Sequence, residues 1–169
     1  GIPASQVYAP WWSHCDDNHA WVEVWADGRW HFLGACEPEP VPDRGWFTEA
    51  SSRAMMVHSK RFCRLPPERI GPLLDPQEEA GRAADGFVLY DIVTGRYAET
   101  VRVSIGVRDG GRPVPYARVS LQVLNMASFR NLITLHCDRQ GSVEIELGKG
   151  SLRLCASDGK RQAALAQFN

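Results

Sequence analysis

The sequence predicts a mainly β protein in two units, a small β-sheet unit over 1–62 and an all-β sandwich over 87–169. Three observations carry that expectation. From Phe87 onward, six alternating segments rich in β-branched residues follow one another with turn residues between them. Near the start, NHAWVEVWADGRWHFLGACEPEP (18–40) contains a tight hairpin. Between the units, CRLPPERIGPLLDPQEEAGRAADG (63–86) holds four prolines and three glycines and sustains neither period, which marks a linker.

Along the first unit, Ala20, Val22 and Val24 alternate with Trp21, Glu23 and Trp25, the period of a strand. Ala26-Asp27-Gly28 supplies the turn, and Arg29 to Leu33 the return strand. His19 therefore stands where one strand begins, and Gly34-Ala35-Cys36-Glu37 stands where its partner ends. A tight hairpin makes those two places neighbours. A histidine and an acid brought together this way form the base and orienter of a nucleophilic site. Downstream, GWFTEASSRAMMVHSKRF runs from a short turn or helix into a strand around residues 54–58. Met55, Met56 and Val57 read as core, and His58 as a surface residue, with polar lining of the site as the alternative.

In the second unit the segments are FVLYDIV, ETVRVSIGVRD, ARVSLQVLNM, LITLHCD, SVEIELG and SLRLCAS. Gly110-Gly111, Asn125, Asp138 to Gly141, Gly148 to Gly150 and Asp158-Gly159 punctuate them. Short strands with turn signals every ten or so residues point to a sandwich. Asp138 and Asp158 read as turn residues, not calcium ligands.

Composition narrows the function classes. In 169 residues, 44% are hydrophobic and 23% charged, an ordinary globular balance. The net charge of -1 offers nothing to nucleic acid or an anionic membrane. The five cysteines (Cys15, Cys36, Cys63, Cys137, Cys155) form no C-x-x-C pair, so no structural zinc site is expected. His14, Cys15, Asp16, Asp17 and His19 are ligand types crowded into one loop, with no second pair to close a tetrahedron. Neither metal nor cofactor is therefore expected. Cys137 and Cys155 lie on later strands and could face each other, but buried free thiols are the commoner case at such positions.

GIPASQV followed by NHAWVEVWADGRW resembles the transglutaminase-like superfamily of transglutaminases, peptide N-glycanases and bacterial cysteine-protease-like proteins. Gly1-Ile2-Pro3-Ala4, His19, Trp21, Glu23, Val24 and Trp30 carry the match, over roughly the first 60 residues. The resemblance implies the C-terminal half of a papain-like α+β domain, with His19 as base and an acid at the end of the return strand. Where the family has Asp-Pro, this chain has Gly34-Ala35. Glu37 is the nearest acid, with Glu39 and Asp43 as weaker substitutes. Trp21, Trp25 and Trp30 would wall the site and contact substrate. The family's cysteine lies on a helix before the Gly-Ile-Pro turn, so the nucleophile is expected outside this chain. Cys15, in the loop leading into the histidine's own strand, is poorly placed to replace it.

DGGRPVPYARVSLQV with LHCDRQGSVEIELGKGSLRLCASDG resembles the prealbumin-like or carboxypeptidase-regulatory class of immunoglobulin-like modules. Together the two resemblances imply a bacterial amide hydrolase or acyl transferase of the Cys-His-acid type, acting on a protein or peptide at the cell envelope or outside the cell. The alternative is a non-catalytic binding or structural module of the envelope, using an aromatic surface of Trp11, Trp12, Trp46 and Phe47. Either way, the strands of the first unit are expected to leave one sheet face uncovered, to be buried by the missing N-terminal part of the domain or by self-association.

Overall fold

The computed structural model describes residues 1–63 and 87–167, so most of the expected linker lies outside the described residues. The fold is mainly β. β1 (Ala4–Ala9), β2 (His19–Ala26), β3 (Arg29–Leu33), β4 (His58–Cys63) and β5 (Phe87–Ile92) form one antiparallel sheet in the order β3-β2-β1-β4-β5. The β2–β3 turn has Asp27 at φ 50° and Gly28 at φ 78°. That pair of left-handed residues matches the right-handed twist of the flanking strands, which explains why Asp-Gly closes this hairpin.

Two strands of this sheet differ from expectation. β1 begins inside the Gly-Ile-Pro-Ala run and lies at the centre of the sheet, with Val7 and Ala9 buried. The strand expected at 54–58 instead begins at His58. Ala54 to Val57 are buried but form a crossing segment. Gly148 N–H donates to Met55 O, Val93 N–H donates to Val57 O, and Val57 N–H donates to Thr94 Oγ1. An apolar run satisfied by scattered partners looks like a strand in sequence and is not one. The short helix α1 (Thr48–Ser52) and a 3₁₀ turn (Thr94–Arg96) flank that segment.

β5, from the first of the six predicted segments, pairs with β4 in the first sheet. The remaining five segments become β6 (Thr100–Gly106) with β7 (Arg108–Asp109), β9 (Arg118–Asn125), β10 (Ser128–His136), β11 (Ser142–Gly148) and β12 (Leu152–Ser157). β8 (Arg112–Pro113) pairs with β7, and β13 (Gln162–Gln167) pairs with β12. A four-stranded sheet β10-β9-β12-β13 and the β11-β6 pair share a core that includes Val119, Leu121, Leu135, Ile145 and Leu147. β13 escaped the sequence reading because QAALAQ lacks β-branched residues; its place is set by the Asp158 turn. There Asp158 Oδ1 accepts from the amides of Lys160 and Arg161, and Asp138 Oδ1 likewise accepts from Gln140 and Ser142.

The two regions interlock. Met55 and Met56 belong to the same buried cluster as the sandwich core. Asn125, at the end of β9, is buried, and its side-chain amide donates to the carbonyls of Trp12, Cys15 and Asp17. Its Oδ1 accepts from Asp17 N–H, and Met126 N–H donates to Asp16 Oδ1. One side chain thereby shapes the loop that delivers the chain to His19. Among the described residues, no helix is long and apolar enough to cross a membrane.

Candidate functional site

His19 opens β2, paired with Ala9 of β1. Alternation along β2 places His19, Trp21, Glu23 and Trp25 on one face, the face covered by Phe47 and the 3₁₀ turn. The imidazole lies in an aromatic recess. It stacks on Trp21 (centroids 5.7 Å), meets the edge of Trp46 (4.5 Å) and tilts against Phe47 (4.6 Å). Its Nε2 is buried and, among the described residues, has no hydrogen-bond partner. Trp46 is 64% exposed and forms the outer wall, whereas Trp21 and Phe47 are fully buried.

Glu37 stands apart from the ring. β2 and β3 pair only from Val22–Leu33 to Ala26–Arg29. Beyond Leu33 the chain doubles back, and a Cβ on Gly34 would lie 2.5 Å from Glu37 O. Only a glycine permits that close approach, so Gly34 sets the loop that ends β3. Glu37 is exposed in that loop and acts on His19 through charge alone, with no hydrogen bond between them. Burial pulls the His19 pKa below that of a free histidine, and the negative charges of Asp17 and Glu37 oppose the shift.

Trp25 and Trp30 sit at the other end of the hairpin, about 20 Å from His19 at roughly 3.3 Å per residue. They meet edge-to-face at 5.5 Å. The structure therefore brings Trp21 to His19 and leaves Trp25 and Trp30 at a different place on the same face. Of the other aromatic residues considered, Trp12 and Phe47 are core and Trp11 is half-buried under the Arg130 guanidinium.

Of the other acids, Glu39 is exposed. Asp43, at φ 61°, reaches back to the β3 edge, where it accepts from Phe32 N–H, Arg29 and His31 Nδ1, the last two at 2.8 Å. It serves His31, on the opposite sheet face, and those hydrogen bonds hold its pKa below the usual carboxylate value despite partial burial. Cys15 is exposed; partial burial of its sulfur pushes the thiol pKa up, the wrong direction for a nucleophile. No group of three or more metal-ligating side chains occurs among the described residues. Cys137 and Cys155 are free thiols; Cys137 is buried and Cys155 half-buried.

Sequence reasoning missed a buried network beneath the hairpin. Trp21 Nε1–H donates to the Tyr97 hydroxyl (2.9 Å), which donates to Glu23 Oε1 (2.6 Å), and Arg96 pairs with Glu23 Oε2. Glu23 is 1% exposed. Its partners lie more than seventy residues away in sequence, and no local signal announces them. His58, expected at the surface, is buried between Tyr8 and Tyr90. Once β4 starts at His58, the side chain sits over the middle of the sheet.

No protein-family model matches the chain, and no curated protein matches it.

Proposed function

We propose that the chain carries the histidine half of a Cys-His-acid site for amide hydrolysis or acyl transfer. In this reading residues 1–62 are part of a transglutaminase-like domain, and the sandwich is an immunoglobulin-like companion, both in a protein of the cell envelope or exterior. The observation that carries the reading is His19 Nε2, buried in an aromatic recess and without a hydrogen-bond partner among the described residues. A base whose neutral form burial favours, with one ring nitrogen unspent, suits taking a proton from a thiol. Trp46 and Trp21 exclude water from that atom. Glu37 acts through its charge, favouring the imidazolium that forms after proton transfer. The thiol is supplied by residues other than those described, since Cys15 is weakly acidic and Cys36 is exposed in the loop after β3.

The opposite face of the first sheet carries Ala20, Val22, Val24 and Leu33, half-buried, and is where the domain's other part or a second copy would pack. A second reading, a non-catalytic recognition module, is favoured by the lack of a hydrogen bond between Glu37 and His19.

The test uses the complete open reading frame. Wild-type protein should hydrolyse or transamidate peptide amides and lose that activity on treatment with iodoacetamide and in His19→Ala. Activity that survives His19→Ala rejects the assignment. A wild-type protein inert toward peptide, glutamine and glycopeptide substrates supports the recognition module.

A further inference from the structure

Two clefts meet at the turn end of the β2–β3 hairpin. The first, of about 650 Å³, is walled by Trp25, Trp30, Phe32 and Tyr97, with Arg29 and Asp43 at its edge. The second, of about 810 Å³, is lined by Ser5, Gln6, Ser59, Lys60 and Asp91. Trp30 and Arg96 line both, so the clefts form one groove with an aromatic half and a polar half.

Three features define what fits. Trp25 is 42% exposed and stands edge-on to Trp30, presenting indole surface to solvent. Arg96 is held at the junction by its ion pair with Glu23 and by stacking over Trp30 at 4.9 Å, so its guanidinium is pre-oriented before any ligand arrives. Across the groove, the cations Arg29, Lys60 and Arg96 are balanced by the anions Glu23, Asp43 and Asp91.

We infer that this groove binds a neutral oligosaccharide. A pyranose ring offers an apolar face of C–H bonds for an indole and a rim of hydroxyls for planar charged side chains, hydroxyls and amides. The groove offers those two kinds of partner side by side. Its balanced charge gives no long-range attraction to a polyanion. Its stacking end, Trp25 and Trp30, lies about 20 Å from His19 along β2, while its inner walls Tyr97 and Phe32 back onto Trp21 and Phe47 of the His19 recess.

The full chain is titrated with cellohexaose, maltohexaose, chitohexaose and mannohexaose, followed by tryptophan fluorescence and calorimetry. One or more should bind saturably, with an affinity unchanged between about 50 and 500 mM salt because no net charge is neutralised. Trp25→Ala should weaken that binding about tenfold or more, the loss expected when a stacking aromatic ring is removed. His19→Ala should bind as wild type, which separates this site from the catalytic reading. The inference is overturned if no neutral hexasaccharide saturates the signal, or if binding persists in both Trp25→Ala and Trp30→Ala. Preference for heparin or for an aromatic tetrapeptide over all four sugars overturns it equally.

Discussion

The Tyr97 hydroxyl donates a 2.6 Å hydrogen bond to Glu23 Oε1, across 74 residues of sequence. That bond clips the 3₁₀ turn to the hairpin. Burial and the neighbouring carboxylate push the phenol pKa well above its usual value, so the hydroxyl stays protonated and donating.

Tyr97→Phe removes the hydroxyl but keeps the ring against Trp21. It leaves the Trp21 indole N–H and one Glu23 oxygen without that partner in a buried place. The cost should be about 1–3 kcal/mol, the range for an orphaned buried group, read by urea unfolding. A variant as stable as wild type means that water replaces the hydroxyl.

His19 should titrate below the free-histidine value, because burial outweighs the two nearby acids. Glu37→Gln removes one of the opposing charges, so the pKa should fall further. NMR titration of the ring protons in both proteins checks this. Superimposable curves would leave Glu37 as an ordinary loop acid.

Acid should destabilise the fold through His58. Burial, then the Lys60 charge, lowers its pKa from 6.5 to about 4. The unfolded chain therefore takes up the proton first. Stability is fully present above about pH 6.5 and is lost as pH falls toward 4, by about 3 kcal/mol at 1.4 kcal/mol per unit. His14 and His19 shift in the same direction. His58→Phe keeps a ring between Tyr8 and Tyr90 and should flatten the pH dependence between 7.5 and 4.5. An unchanged slope would place the acid sensitivity elsewhere.

Gly148→Ala should be among the most damaging single changes. Its Cβ would lie 1.9 Å from Ala54 O, a backbone atom in the crossing segment that cannot swing aside. The same residue donates its N–H to Met55 O, so the clash falls on the seam where Met55 and Met56 enter the sandwich core. Overpacking of this kind costs about 1–3 kcal/mol or more. Thermal unfolding should show a drop of several degrees, and an unaltered midpoint would mean that the seam can open without cost.

The sequence by itself determined the strands whose information is local. Asp27-Gly28 dictates its turn because both residues tolerate positive φ, and the β9 run Val119, Leu121, Val123 dictates an inward face by alternation alone. The position of His19 at a strand head was legible for the same reason. Tertiary structure alone decided which side chains meet. Gly34 folds the loop so that Glu37 approaches His19 only through its field, and Asp43 turns to His31 instead. Trp25 and Trp30 are carried by strand rise to the far end of the hairpin, away from the histidine. Asn125 and Tyr97 find partners across 108 to 113 and 74 to 76 residues of chain. Alternation and turn chemistry act over a few residues, whereas pairing at that range depends on the whole packing and leaves no mark in the local pattern.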